Sequence, residues 1–422
     1  MLALVVILLV EGAGGAGQVA ALLLTPSSAL TILILIGLVG AWRLLAIADA
    51  MTIDGVKEPL RHRSTLTTFV VLAAIVVLMH GALGYAAWAF YDASSRIFVS
   101  DGSPEGTPLP SLVPGTTQDP GEEYRASPIA TPATAESRIN ILLTGVDSAE
   151  TRSTALTDTL LVASIDPTNG DVALISFPRD ISSFPLYDGR TFTGKINGFM
   201  TWAKNHPKEF PDGALTSLVE EIGYLLGAPI HYYAAIDLAG FRRMIDLVGG
   251  VTVDNPRVIN DPRYDWLDGR RGFRLTAGKH HLDGDTALAY VRSRQGVGDS
   301  DFSRARRQQQ VLLALREQLI KPENLPQIPS LLDAAGDTIR TNFPSERVAE
   351  MIDLAQLVDN DKVRQFVLGP SKYARRATQA ESGGIYELRL KMDALAKLSI
   401  DIFGNDSRYA AITPTPSSST AP

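Results

Sequence analysis

The sequence predicts an α/β (α+β) domain, with a central mixed β-sheet flanked by helices, that is preceded by transmembrane helices. Short β-rich runs separated by turn residues open the domain at 139–145, 159–165 and 171–177. Stretches with helical periodicity follow at about 213–227, 237–247, 283–291, 302–320 and 345–358, with a short strand at 363–368. A long apolar run without charged side chains comes before both, at 66–90.

Composition narrows the class of protein. The 422 residues exceed one typical domain, and 45% hydrophobic against 20% charged residues indicates a membrane portion. The absence of cysteine excludes disulfide scaffolds, thiol nucleophiles, cysteine-ligated zinc and iron–sulfur clusters. A net charge of −7 argues against a chain built for nucleic-acid binding, and it leaves local basic clusters open.

Residues 1–91 are predicted to form a membrane anchor with two or three helices. The strongest span is 66–90, which is long enough to cross about 30 Å of hydrocarbon. Aromatic side chains at its far end suit a membrane boundary, and basic residues precede it: Trp88, Phe90 and Tyr91, and Lys57, Arg61 and Arg63. This asymmetry places the 50–65 loop in the cytoplasm and everything after Tyr91 outside the cell membrane.

Two further apolar stretches precede that span. Residues 28–48 form a second predicted span, in which Arg43 would snorkel to the cytoplasmic surface. Residues 2–24 form a weaker third, because Glu11, Gln18 and four glycines interrupt it, and a signal-like segment is the alternative. After the anchor, 92–137 is rich in proline, serine and threonine and is predicted to be an extracellular linker. The extracellular domain is then predicted at 138–404 and a disordered tail at 405–422.

The segment 290–310 concentrates five arginines and two aspartates. On the predicted 302–320 helix, one core-facing stripe at i, i+4 and i+7 contains Arg304, Gln308, Val311, Leu312, Leu315 and Leu319. Arg304 thus lies on the apolar face with Arg307 one turn along, and an inward cation needs a compensating charge. Arg292 and Arg294 would point the same way from an extended segment. Converging guanidinium groups suit a phosphate or pyrophosphate ligand, and an exposed charged helix start is the alternative.

A second group of polar residues lies at the other end of the domain, at the ends of its first three strands. Asp147 follows the first strand, Asp158 begins the second, and Arg179 and Asp180 follow the third. Taken singly, each aspartate is typical of a turn or a helix cap. Together, two carboxylates and the oxygens of a pyrophosphate would complete an octahedral magnesium site.

Several other motifs are rejected. Residues 189–195 fit GxxxxGK, but Ile196 stands where magnesium requires Ser or Thr, and no apolar strand precedes them. No GxSxG elbow occurs, and His280 and His281 are adjacent rather than at metal-ligand spacing. Asp261, Asp265 and Asp268 miss the spacing of an EF-hand and are predicted to be turn residues.

An ordered set of motifs resembles the LytR-CpsA-Psr family of cell-envelope proteins. The segments are NILLTGVDS, TDTLLVASIDP, ISFPRDI, KIN, LVGGVTV, LDGDTALAYVRSR and DFSRARRQQQ, which cover about 138–320 well and extend plausibly to about 404. The resemblance implies a magnesium-assisted transferase, with Mn²⁺ as an alternative metal. It would join a glycopolymer from a polyprenyl-pyrophosphate carrier, such as teichoic acid or a capsular polysaccharide, to peptidoglycan through a phosphodiester. The partners implied are these two substrates and the cytoplasmic membrane, with no nucleic acid.

The resemblance also implies roles for individual residues. Asp147 and Asp158 match the metal-binding acids and Asp301 an acidic position of the arginine motif. The positions that match the pyrophosphate-binding set are Arg179, Arg292, Arg294, Arg304 and Gln308, with Arg307 in the same motif. The implied catalytic set contains Asp147, Asp158, Arg179, Arg292, Arg294, Asp301 and Arg304. Leu156 departs from the pattern, because many members carry arginine there, and Arg152 is a candidate replacement.

Charge and chemistry leave three functions open. Five arginines against Asp147, Asp158 and Asp301 give a net +2, which with Mg²⁺ can hold a pyrophosphate diester near −2. Asp180 and Asp301 are candidates for the general base of a transferase. The alternatives are a pyrophosphatase that uses water as the acceptor, and a non-catalytic polyprenyl-pyrophosphate-binding regulator of envelope assembly, which Leu156 would favour.

Overall fold

A computed structural model of the chain describes residues 25–53, 63–97, 138–147, 156–294, 300–319, 321, 339–344 and 347–410. These fall into two compact units. The first holds residues 25–97 and 343–353, and the second holds the remaining described residues. The weak predicted span at 2–24 lies outside the described residues, as does the predicted linker beyond Ile97.

Two long helices form most of the first unit, α1 Pro26–Ile53 and α2 Arg63–Ile97. Within them, 27–50 and 66–97 are long and apolar enough to cross a membrane, by length and composition. The helices pack closely where Gly40 faces the ring of His80, since a Cβ at Gly40 would lie 3.2 Å from that ring. Helix α2 passes the predicted anchor boundary at 91, because Asp92 and Arg96 form an i, i+4 ion pair of 2.5 Å in its last turns.

The second unit alternates strands and helices. Its strands are β1 Ile139–Asp147, β2 Leu156–Ile165, β3 Val172–Ser176, β4 Ser182–Pro185, β5 Thr191–Lys195, β6 Tyr232–Asp237, β7 Val251–Asn255, β8 Ile259–Asp265, β9 Arg271–Leu275, β10 Gly278–Leu282, β11 Ile339–Thr341, β12 Val363–Val367, β13 Ala374–Arg376 and β14 Leu388–Leu390. Its helices are α3 Phe199–Asn205, α4 Ala214–Leu226, α5 Leu238–Leu247, α6 Gly284–Arg292, α7 Asp301–Leu319, α8 Val348–Leu357, which begins in the first unit, α9 Gln379–Ser382 and α10 Met392–Phe403.

A six-stranded mixed sheet in the order β11-β6-β1-β2-β3-β12 organises this unit. β2 pairs antiparallel with both β1 and β3, while β6 is parallel to β1 and β12 is parallel to β3. Antiparallel pairing brings the end of β1, the start of β2 and the end of β3 to one edge. The polar residues predicted at those three strand ends therefore lie on the same edge of the sheet.

Apolar side chains cover both faces of the sheet. Leu160 and Val162 pack into a large core with the buried residues of α4 and α10. Their neighbours Leu161 and Ala163 point to the opposite face, where α7 packs. Covering both faces explains why β2 and β3 are near-continuous apolar runs rather than alternating ones.

Helix boundaries follow local capping rules. The Asp237 carboxylate accepts a hydrogen bond of 2.7 Å from Gly240 N at the start of α5, and Asp283 accepts one of 2.8 Å from Thr286 N at the start of α6. Gly227 ends α4 in the left-handed conformation, φ 75°. These caps account for helix boundaries within a residue or two of those the sequence predicts.

The ordered domain continues past the predicted boundary at 404, so the tail prediction for 405–422 is wrong in its first six residues. Ser407 is buried, with its hydroxyl 2.6 Å from that of Ser399, and Tyr409 donates a hydrogen bond of 2.8 Å to Leu225 O. These contacts attach residues 405–410 to α10 and α4. Residues 411–422 lie outside the described residues.

Candidate functional site

The second unit contains a cavity of about 420 Å³ between the sheet and helices α5, α6 and α7. Much of its wall is apolar, with contributions from Phe241, Met244, Leu288, Val311, Leu312 and Leu315. Helices α6 and α7 therefore contribute Leu288, Val311, Leu312 and Leu315 to an apolar space. Leu319, predicted on the same stripe of α7, is instead 43% exposed, because it is the last residue of the helix.

The polar part of the cavity wall contains five of the residues predicted to bind pyrophosphate. They are Arg179, Arg292, Arg294, Arg304 and Gln308. Gln308 donates a hydrogen bond of 2.9 Å from Nε2 to Thr159 Oγ1, which fixes it against β2. Thr144 also lines the cavity, and its buried hydroxyl makes no hydrogen bond within the described residues. The arrangement joins an apolar space to convergent cationic and hydroxyl groups, as a ligand with a long apolar part and an anionic head requires.

Asp301 connects the two polar groups that the sequence places at opposite ends of the domain. Its Oδ1 lies 3.2 Å from Arg304 Nη2 and 3.8 Å from Arg179 Nε. Arg304 is only 5% exposed, so the nearby carboxylate provides the compensating charge that an inward cation needs. Arg179, which follows the third strand, and Arg304 of the arginine-rich segment therefore belong to one site.

Arg292 and Arg294 reach the cavity by a different route from the predicted one. Arg292 is the last residue of α6 and Ser293 is its C-cap, so the segment begins as helix rather than as a strand. Ser293 then has extended φ and ψ angles of −56° and 138°, and Arg294 follows outside the helix. Both side chains line the cavity all the same.

Asp261 binds the segment that follows α6 and is one of the site residues that sequence reasoning missed, together with Arg263 and Asp265 of the same strand. The carboxylate is 2% exposed, and its Oδ2 accepts hydrogen bonds from Ser293 Oγ at 2.9 Å and Arg294 N at 3.1 Å. It lines the cavity from β8 rather than occupying a turn. The available signal was its position two residues after Ile259 on an alternating strand, which points both side chains inward. Asp268 is an exposed turn residue as predicted, accepting from Arg270 N at 3.0 Å.

Arg307 does not line the cavity, which contradicts its predicted place in the pyrophosphate-binding set. Its Nε donates a hydrogen bond of 2.7 Å to Tyr290 O, and its Nη2 also bonds to Ser293 O. The guanidinium also lies 5.6 Å from the centre of the Tyr290 ring. The last carbonyl groups of a helix have no hydrogen-bond donor within the helix. Arg307 supplies donors to carbonyl groups at the C-terminal end of α6.

Replacing Arg307 by alanine is therefore expected to lower the free energy of unfolding by about 2–3 kcal/mol, since buried carbonyl oxygens lose their donor. Chemical denaturation of the purified protein measures this. The exposed neighbour Arg306 supplies a control on the same helix, and Arg306→Ala should leave stability nearly unchanged. Equal stability of the Arg307→Ala and Arg306→Ala proteins would contradict the capping role.

The backbones of the two predicted metal-binding acids are close together. Asp147 pairs with Leu156 across β1 and β2, and a bulge at Gly145/Val146 leaves Asp158 between Thr157 and Thr159, the partners of Val146 and Gly145. The side chains of Asp147, Leu156 and Asp158, and all of Arg152, lie outside the described structure. Two carboxylates at one strand edge are suitable oxygen donors for Mg²⁺. Among the side chains that are described, no three histidines or acids form a metal-binding group.

Asp180, a predicted candidate base, lies next to Asp301. Burial and a hydrogen bond with Asp301 raise the pKa of the Asp180 carboxyl, while Lys195, with Nζ 2.5 Å from Asp180 Oδ1, opposes the rise. A carboxyl group with a raised pKa is suited to accept a proton near neutral pH. Lys195 itself ends strand β5, so the GxxxxGK match lies in a β-hairpin and its rejection as a phosphate-binding loop agrees with the structure.

Comparisons with known proteins agree with this architecture. A model of the LytR_cpsA_psr family matches residues 116–408. A protein of Halalkalibacterium halodurans named polyisoprenyl-teichoic acid--peptidoglycan teichoic acid transferase TagU is 29% identical over 234 residues, 55% of this chain and 70% of the relative. TagV of Bacillus subtilis, a transferase of the same name, is 30% identical over 219 residues, and the match spans about half of each protein, 52%.

The fold has a counterpart among solved structures. The crystal structure of Bacillus subtilis TagV superposes with a TM-score of 0.50 at 25% identity, covering 66% of this chain and 99% of that one. The family match includes all five predicted residues that line the cavity. The chain therefore belongs to the LytR-CpsA-Psr family.

Proposed function

We propose that the protein is a membrane-anchored transferase that moves a glycopolymer from a polyprenyl-pyrophosphate carrier to peptidoglycan. The observation that carries the proposal is the cavity, in which an apolar wall meets Arg179, Arg292, Arg294, Arg304 and Gln308. Teichoic acid and peptidoglycan are the substrates in the names of the relatives, which supports the same class of donor and acceptor here. The polyprenyl chain occupies the apolar part and the pyrophosphate lies among the guanidinium groups.

Charge balance supports a divalent cation in this site. The cavity wall holds five arginines, Arg179, Arg263, Arg292, Arg294 and Arg304, against three aspartates, Asp237, Asp261 and Asp265. With Asp301 and the predicted metal-binding acids Asp147 and Asp158 the acids number six, so the predicted excess of +2 disappears. A pyrophosphate diester near −2 then needs further positive charge, which Mg²⁺ would provide, with Mn²⁺ as an alternative. Asp147 and Asp158 would hold it, and when bound it would polarise the phosphoryl oxygens as a Lewis acid.

The protein's own residues orient the donor and accept a proton. Arg179 and Arg304, held by Asp301, stabilise negative charge that develops on phosphoryl oxygens. Asp180 accepts the proton of an acceptor hydroxyl, whose oxygen forms a bond to the glycopolymer-linked phosphorus. The bond that breaks is the one between this phosphorus and the bridging pyrophosphate oxygen, so polyprenyl phosphate leaves and a phosphodiester remains.

The cell membrane is the proposed location, with the second unit on the extracellular side. Helices α1 and α2 have the length and composition of spans, and Lys57, Arg61 and Arg63 favour a cytoplasmic position for the segment 50–65. Peptidoglycan and the headgroup of its lipid-linked donor are then on the same side as the cavity. A cytoplasmically accessible C-terminal fusion tag would contradict this orientation.

The decisive experiment supplies purified full-length protein with lipid-linked glycopolymer and peptidoglycan glycan strands. The expected result is glycopolymer covalently attached to the strands, no product after chelation of divalent ions, and recovery on addition of Mg²⁺. Asp158→Asn should fail to recover at the same Mg²⁺ concentration. Release of lipid phosphate at equal rates with and without acceptor would instead identify a pyrophosphatase, and tight donor binding without turnover would identify a regulator.

A further inference from the structure

Asp180 and Asp301 form an acidic pair in the site, and two large apolar side chains are exposed on the segment next to this pair. Ile385 is 62% exposed and Tyr386 39% exposed. They follow Gly383 and Gly384, whose positive φ angles of 61° and 90° form the turn that presents them. Exposed apolar side chains next to convergent polar groups are typical of a ligand-binding surface.

Ile385 and Tyr386 lie on a lobe formed by residues 374–390, which several internal contacts hold in place. β13 and β14 pair antiparallel across its base. Arg375 binds both carboxylate oxygens of Glu381, at 2.7 and 2.6 Å, and Thr378 and Glu381 form a capping box at the start of α9. A side chain on such a lobe has a defined position, so a ligand binds it with little loss of conformational entropy.

Direct contacts fix the lobe against the acidic pair. Leu388 N donates a hydrogen bond of 2.9 Å to Asp180 O, and Ser182 Oγ donates one of 2.9 Å to Glu387 Oε2. Burial, and the charges of Asp180 and Asp301, raise the pKa of the Tyr386 hydroxyl, so the phenol lies within the field of both carboxylates. The Arg376 guanidinium is 5.2 Å from the centre of the Tyr386 ring.

Asp301 is the element shared by this surface and the cavity. It forms ion pairs with Arg179 and Arg304, which line the cavity, and its charge helps to raise the pKa of the Asp180 carboxyl. A hydroxyl held at Asp180 is therefore one residue away from the cations proposed to hold the pyrophosphate.

We propose that Tyr386 and Ile385 form the acceptor subsite, a platform on which a sugar ring of the peptidoglycan glycan strand stacks with one hydroxyl directed at Asp180. The inference rests on the proposed function and adds the binding surface of the second substrate. A pyranose ring presents an apolar C–H face that suits an aromatic ring, and equatorial polar groups that suit carboxylates and a guanidinium. An anionic lipid headgroup fits less well, because the carboxylates beside the platform would repel it.

The test measures acceptor and donor parameters separately with full-length protein and soluble uncrosslinked glycan strands. Tyr386→Ala is expected to raise the KM for the glycan strands about tenfold, with the KM for the lipid-linked donor unchanged, because one stacking contact is lost. Tyr386→Phe keeps the ring and should stay close to the unmodified protein. Val258→Ala is the matched control, because Val258 is similarly exposed, at 50%, outside the lobe.

Direct binding of glycan strands without donor, followed by NMR line broadening, separates this inference from the proposed function. Loss of binding in Tyr386→Ala but not in Tyr386→Phe or Val258→Ala supports the platform even if transfer is not observed. Unchanged glycan binding in Tyr386→Ala overturns it, and active transfer in the same protein would leave the proposed function standing. Failure of the unmodified protein to transfer, with donor and glycan both bound, overturns the proposed function alone.

Discussion

Alanine at position 292 is expected to reduce the rate of glycopolymer transfer by about 10²–10³-fold, because a charge-stabilising donor is lost at the phosphoryl group. Arg292 lines the cavity from the last residue of α6, and the caps of that helix do not depend on its side chain. The domain should therefore keep its melting temperature while activity falls. Steady-state kinetics with lipid-linked donor, together with calorimetry on the same preparation, measure both quantities.

Two further variants define what the result means. Arg292→Lys keeps the charge but loses the planar fork, so it should recover only part of the rate. Arg243→Ala removes an exposed cation from α5 and should leave the rate unchanged. Full transfer by Arg292→Ala would show that the arginine end of the cavity does not bind the reacting pyrophosphate.

A second large effect is expected from Glu221, a buried carboxyl on α4. It is 3% exposed and accepts hydrogen bonds from Tyr187 N at 3.0 and 3.2 Å. Burial raises the pKa of Glu221 from 4.5 to about 8. The folded state thus binds a proton that the unfolded state has released, so this contribution to stability is complete below pH 4.5 and lost as pH rises towards 8. A shift of this size corresponds to about 5 kcal/mol.

Glutamine at position 221 mimics the protonated carboxyl and removes the dependence on pH. The stability advantage of Glu221→Gln over the unmodified protein should be small at pH 5 and grow as pH rises to 8, measured as the difference in melting temperature. Glu317→Gln, at an exposed position on α7, is the control and should show no such trend. Parallel melting curves for the unmodified and Glu221→Gln proteins between pH 5 and 8 would contradict a buried, protonated carboxyl.

Local patterns were sufficient for β1, β2, β3 and β12 and for helices α4 to α8, whereas β4 to β11, β13, β14 and helices α3, α9 and α10 were not predicted. The strands at 139–147, 156–165 and 172–176 and the helix at 301–319 lie within three residues of the predicted ranges. Periodicity and turn chemistry determine such elements because each depends on neighbours in the sequence. The end of the domain was misplaced at 404, because the contacts of Ser407 and Tyr409 with α10 and α4 leave no local pattern.

The site was predictable where a residue shares a helical stripe with the core. Arg304 and Gln308 lie on the face of α7 that continues to Val311 and Leu315, and all four line the cavity. The same reasoning failed for Arg307. It lies on the edge of that face and, once α6 packs beside it, finds backbone carbonyls rather than the cavity.

The sequence by itself determined four of the six strands of the sheet, two apolar helices, the family, and five of the side chains that line the cavity, because these follow from composition, period and motif order. Only the tertiary structure decided that β6 and β11 complete the sheet and that Asp301 joins Arg179 to Arg304. It also decided that Asp261 binds the segment at Ser293 and Arg294, that Arg307 caps a helix, and that Tyr386 is exposed near Asp180. The physical reason is separation along the chain. Arg307 bonds to Ser293, which is 14 positions away, and Ser182 bonds to Leu388 of the lobe that carries Tyr386, which is 206 positions away. Only packing can bring such residues within hydrogen-bonding distance.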